Sequence, residues 1–188
     1  MSDASIPALV DIASCAVRTL ALYSLAEFQL GHATTIWASA EGASFSVADD
    51  GRGHAIERTI GGSPYLTFVY THLDYPAETA QGAPVQLHGL GMSLLNSLCS
   101  ELSVTVRKRE ATLQLEFTNG KLSHQEVSEI ASASTGNTIS GTVNLHLQTE
   151  PTSIRLIEEW LLSLLNSNPS LKLHFNDREL HAHPRGAA

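Results

Sequence analysis

Apolar residues recur at helical spacing from about Ile6 to Leu30. Leu9, Ile12, Ala16 and Leu20 form one stripe, Ala13 and Val17 a neighbouring one, and Leu25 and Phe28 extend it. That spacing predicts a long amphipathic helix that stops near Gly31. The period then shortens. Thr34–Ser39 and Ser44–Ala48 read as a strand hairpin turning at Glu41-Gly42. Residues 54–86 carry several Gly and Pro and mixed signals: a short helix is expected around Pro64–His72, and the rest reads as a lid-like loop. Leu87–Leu98 reads as the second helix. Leu102–Arg107 and Thr112–Thr118 alternate as strands turning at Glu110, and Leu122–Val127 reads as one more. Within Gly136–Gln148 the alternation places a strand at Thr142–Leu147. Thr152–Leu165 has Ile154, Ile157, Leu161, Leu164 and Leu165 on one helical face. Leu171–Phe175 and a short strand near Glu179-Leu180, turning at Asn176-Asp177, close the pattern.

The order α-ββ-lid-α-βββ-α-ββ predicts one α+β domain over residues 1–182, with residues 183–188 as a frayed tail. A chain of 188 residues, 43% hydrophobic and 16% charged, is enough for one ordinary core. The net charge of −8 argues against direct nucleic-acid binding, which rests on Lys and Arg contacts to phosphate. No apolar run is long enough to span a membrane, and Met1–Ser5 lacks the basic start of a secretory signal, so a cytoplasmic location is expected. Cys15 and Cys99 fall in helix-like apolar stretches and are expected as buried free thiols. The nine histidines are scattered. Only His181 and His183 are close, with no third ligand at metal-binding spacing, so no metal site is expected.

Two segments carry candidate chemistry. Gln86–Leu98, beginning Gln86-Leu87-His88-Gly89-Leu90-Gly91, runs from a glycine-rich turn into a helix, whose first N–H groups favour an anion. Asp49-Asp50-Gly51-Arg52-Gly53 follows directly on a strand-like run, and places a carboxylate and a flexible turn at a strand end. In this order the pair resembles the gyrase-B-like ATPases of the GHKL (Bergerat-fold) superfamily, closest to the N-terminal ATP-binding domain of DNA gyrase B and its topoisomerase IV counterpart. The resemblance covers about residues 11–182. It implies a two-layer sandwich with a mixed, mainly antiparallel sheet covered by helices on one face, and a site for ATP or ADP. By the same resemblance Asp49 accepts from the adenine amino group, while Gly51 and Gly53 let the chain turn beside the base. Arg52 lies against the base, with Glu27 as its acidic partner. Thr142, in Ser140-Gly141-Thr142, bonds the base, and His88, Gly89, Leu90 and Gly91 contact the phosphates.

The chain departs from the family on its first helix. Aligning Glu27 puts Thr19 where the family has its catalytic glutamate and Tyr23 where it has its Mg²⁺-binding asparagine. Threonine is no base near pH 7 and a neutral phenol is a poor Mg²⁺ ligand, so hydrolysis is expected to be impaired or absent and Mg²⁺ binding absent or weak. No Lys or Arg occurs between Arg58 and Arg107, and the transducer domain that supplies a lysine in the family is not expected here. The Ile-Pro that follows the first glycine motif in the family is His54-Ala55 here. Three function classes remain open: a nucleotide-binding domain that hydrolyses little or nothing, an active topoisomerase-like ATPase with an unrecognised base, and a protein-interaction module that binds a protein partner and no nucleotide.

Overall fold

The computed structural model describes residues 11–72, 91–129 and 132–182. The first helix, α1, spans Ile12–Gln29. Asp11 caps it, accepting from the Ser14 backbone N–H at 3.0 Å. The same carboxylate accepts from Ser153 N at 2.9 Å, and Gln148 accepts from Ile12 N at 2.8 Å, so the helix start is tied to a segment more than a hundred residues away. The part of the expected helix before Asp11 lies outside the described residues. Two strands follow, β1 (Thr35–Glu41) and β2 (Ser44–Asp49), paired from Glu41↔Ser44 to Ile36↔Asp49. A two-residue ladder that the sequence pattern does not announce, β3 (Thr59–Ile60) with β4 (Ser63–Pro64), precedes α2 (Tyr65–Thr71). Further along come α3 (Met92–Leu98), β5 (Cys99–Arg107), β6 (Thr112–Thr118), β7 (Lys121–Ser128) and β8 (Gly136–Val143). The chain then forms α4 (Ile154–Ser167), β9 (Lys172–Phe175) and β10 (Arg178–Leu180).

Eight strands form one mixed sheet in the order β10-β9-β1-β2-β8-β5-β6-β7. Among the described residues only β1 and β9 run parallel; every other pair is antiparallel. With four helices among the described residues, the architecture is a mixed α/β domain. Register explains its two faces. Phe175, Ala38, Val47, Ile139, Val104 and Leu115 lie in one cross-strand row, and all are buried. Because side chains alternate between faces, the adjacent row is Ser39, Ser46, Ser140, Ser103 and Glu116. The apolar face meets the helices: α1 crosses β1, β2 and β8, α3 packs on β5, α4 on β9, and α2 on α3. Small residues on α1 (Ala13, Ala16, Ala21) are fully buried, which lets the helix lie close to the sheet.

Two expectations are corrected. The strand expected at Thr142–Leu147 is Gly136–Val143 instead. Leu145 is 74% exposed, and Asn144 turns the chain by accepting from Leu147 N at 2.8 Å and, through its side chain, from His146 N. The alternating Val-Asn-Leu-His-Leu pattern therefore has no face to bury, while the central strand β8 has few large apolar residues to announce it. The other correction concerns Cys15, which is exposed, whereas Cys99 is buried and its thiol is pushed up to about 12 by desolvation. No described helix is long and apolar enough to cross a membrane.

Candidate functional site

Asp49 ends β2 on the buried face, 3% exposed. Four donors converge on its carboxylate. Gly51 N reaches Oδ1 at 3.0 Å, Ser24 Oγ reaches Oδ2 at 3.0 Å, and Asn137 supplies both its backbone N–H (3.4 Å) and its side-chain amide (3.3 Å). An ionised carboxylate has about four acceptor positions, so the chain itself fills them. The Asn137 contacts are the longest and the weakest of the four. Two glycines make this cluster sterically attainable. A Cβ on Gly51 would lie 2.9 Å from Asp49 Oδ1, and one on Gly136 would lie 1.9 Å from the Asp49 carbonyl oxygen.

The turn after Asp49 is held from three sides. Arg52 donates to Glu27 of α1 through Nε (3.1 Å) and Nη2 (2.8 Å), a two-point ion pair that fixes the guanidinium plane. Burial alone would raise the Glu27 carboxyl; the Arg52 hydrogen bonds and charge outweigh it and hold the group below the usual carboxylate range. Asp50 turns the other way, accepting from Thr34 N at 2.7 Å and Thr35 N at 2.8 Å at the start of β1. Lys108 Nζ donates to the carbonyls of Arg52 (3.0 Å) and Gly53 (2.9 Å), and its removal from water lowers its ammonium below the ordinary lysine value. His54 N donates to Asn137 Oδ1 at 2.9 Å; burial pushes its imidazole below the ordinary histidine value, which favours the neutral ring at pH 7.

The structure thus gathers Asp49, Gly51, Arg52, Gly53 and Glu27. It does not bring Thr142 to them. Thr142 pairs with Ser44 at the opposite end of β2, its hydroxyl 3.0 Å from Ser44 Oγ. It lies five residues along β8 from Asn137, or about 16 Å at strand spacing. Its side belongs to a groove of about 510 Å³ with Ser44, Glu101, Ser103, Glu116 and Ser140. The β8 residue beside Asp49 is Asn137. The signal for it is in the glycines: β8 holds two, Gly136 and Gly141, and only the first has the tight contact with Asp49. Ser24 also went unrecognised, although it lies three residues before Glu27 and so on the same side of α1. Lys108 was missed because it comes from the far end of a different strand. Gly91 caps α3 with open space around its Cβ position, and His88, Gly89 and Leu90 lie outside the described residues.

Earlier on α1, Thr19 is buried, and Tyr23 has a buried hydroxyl with no hydrogen-bond partner. Among the described residues no three His, Cys, Asp or Glu side chains gather where they could hold a metal ion. Compared with models of known protein families, the chain matches none, and no curated protein matches it either.

Proposed function

We propose that this chain is an adenine-nucleotide-binding domain resembling the gyrase B ATPase domain, taking ATP or ADP and hydrolysing little or none of it. The observation that carries this is the buried Asp49 carboxylate at a strand end, beside a turn locked by Glu27, Arg52 and Lys108. A buried carboxylate fits an amino-group donor, because a hydrogen bond to a charged acceptor is stronger there than in water. The long Asn137 side-chain contact is the one that an adenine amine would displace. Asn137, rather than Thr142, then becomes the β8 residue facing the base. Bound nucleotide would supply the base and phosphates; Asp49 would orient the base, and Gly51 and Gly53 would let the backbone approach it. Thr19 offers no general base and Tyr23 no strong metal ligand, which argues against water activation from α1.

One observation favours the protein-interaction reading instead: all acceptor positions of Asp49 are already met within the chain. Calorimetric titration of ATP, ADP and adenosine, with and without Mg²⁺, separates the two. Asp49→Asn is the informative variant, since it keeps the shape and lets Ser24 Oγ accept from the new amide. Binding that is indifferent to Mg²⁺ and weakened at least about tenfold by Asp49→Asn supports the nucleotide reading. No heat with any of the three ligands sinks it. Steady Mg²⁺-dependent turnover would favour an active ATPase.

A further inference from the structure

β7 ends the sheet, and among the described residues no strand pairs with its outer side. The backbone N–H and C=O groups on that side are therefore open to another strand. Seven of its eight residues are exposed. Edges are usually blunted by proline, by short length or by charges on the covered side, and β7 has none of these. The turn Asn119-Gly120, both at positive φ, fixes the strand against β6.

The two sides of β7 carry different chemistry. Leu122 pairs with Phe117, Gln125 with Leu115 and Val127 with Leu113, so these three lie on the helix side. Thr67 of α2 donates to Gln125 Oε1 at 3.2 Å, while Leu122 and Val127 on either side stay 39% and 55% exposed. Lys121, His124, Glu126 and Ser128 lie on the open side, where His124 Nε2 and Glu126 Oε2 are 3.6 Å apart. Ser123 is the extra residue of a bulge.

This order is complementary to itself. We propose that β7 pairs antiparallel with β7 of a second copy of this chain, across a twofold axis at Gln125, joining two eight-stranded sheets into one. Gln125 then faces its own copy. His124 meets Glu126 of the second copy, Leu122 meets its Val127, and Lys121 meets its Ser128, each pair occurring twice. The bulge does not break this register, because both strands carry the same extra residue between Leu122 and Val127. Apolar side chains meet on the helix side, an imidazole N–H meets a carboxylate on the open side, and no like charges are opposed. A strand of unrelated sequence would have to supply the same alternation, whereas a copy supplies it by symmetry. The pairing is independent of the nucleotide reading.

Sedimentation velocity over a concentration series tests it. Wild type is expected to pass reversibly from one chain to two. Val127→Lys, which sets an ammonium against Leu122 of the second copy, should weaken association at least about tenfold. His124→Glu, which opposes two carboxylates, should weaken it as well, and adding Glu126→Lys should restore it. The register has its own readout. Antiparallel partners lie about 4.5–5.5 Å apart at Cα, within disulfide range, so Gln125→Cys in a Cys15→Ser background should cross-link into a dimer on mild oxidation. A wild type still monomeric at about 1 mM overturns the proposal, as does association unaltered by Val127→Lys, or a Gln125→Cys protein that does not cross-link. The substituted positions are exposed, and should one variant fail to fold, the others carry the comparison.

Discussion

Gly136→Ala tests whether β8 has to touch the Asp49 strand end. Gly136 has φ +130°, a region that L side chains rarely occupy, which by itself costs about 1–3 kcal/mol. Its Cβ would also lie 1.9 Å from the Asp49 carbonyl oxygen and 3.2 Å from the Asp50 Cα. Both are backbone atoms, so no rotamer change relieves the overlap; the strands must separate. Separation would lengthen the two Asn137 bonds to Asp49, at 3.4 and 3.3 Å, and the His54–Asn137 bond at 2.9 Å. With hydrogen bonds to a charged group at about 1.5–3 kcal/mol, a total loss of about 4 kcal/mol follows. For a chain of this size that is a fall in melting temperature of roughly 10 °C. Gly42→Ala is the control: Gly42 has φ +56° but open space around it, so only the backbone strain applies, about 1 kcal/mol. Urea unfolding followed by far-UV circular dichroism measures both. A loss at Gly136 no greater than at Gly42 would refute the contact and with it the geometry of the Asp49 cluster.

Ionisation and thiol reactivity give two independent checks. The Glu27 carboxyl titrates lower in the folded chain than in the unfolded one, so it contributes stability above the unfolded value near 4.5 that is lost as pH falls through the folded value. Glu27→Gln should destabilise at pH 7 by about 1–3 kcal/mol and flatten the acid limb of the stability curve, measured by urea unfolding between pH 3 and 7; an acid limb unchanged from wild type would contradict it. The thiols should separate by accessibility: Cys15 reacts with a thiol reagent in the native protein at once, and Cys99 only on unfolding, so two rapid equivalents in native buffer would contradict the burial of Cys99.

Strands such as β6 were legible in the sequence because one-sided burial writes itself as alternation. Leu113, Leu115 and Phe117 on β6 face the core, with Gln114 and Glu116 between them. The β9–β10 turn was legible for a different reason: Asn176 and Asp177, both with positive φ, are the residue types that tolerate that conformation. β8 was not, because it spends positions on Gly136, Asn137 and Gly141, and such residues leave no hydrophobic signature. The same fact hid Asn137, the β8 residue whose backbone and side chain both bond Asp49. The Glu27–Arg52 pairing was implied by the family resemblance alone, which gave that arginine an acidic partner on the first helix. The contributions of Ser24 and Lys108 were not, since they depend on which strand end meets which turn, and local pattern holds no record of that.

The most direct measurement is an adenosine titration followed by amide NMR. Gly51 and Asn137 each donate a backbone N–H to Asp49. If adenine binds there, both amides shift saturably and together, while Thr142, at the far end of β8, stays still. Saturable binding that moves Thr142 and leaves Gly51 and Asn137 unchanged, or no shift at any of the three, would contradict a base site at Asp49.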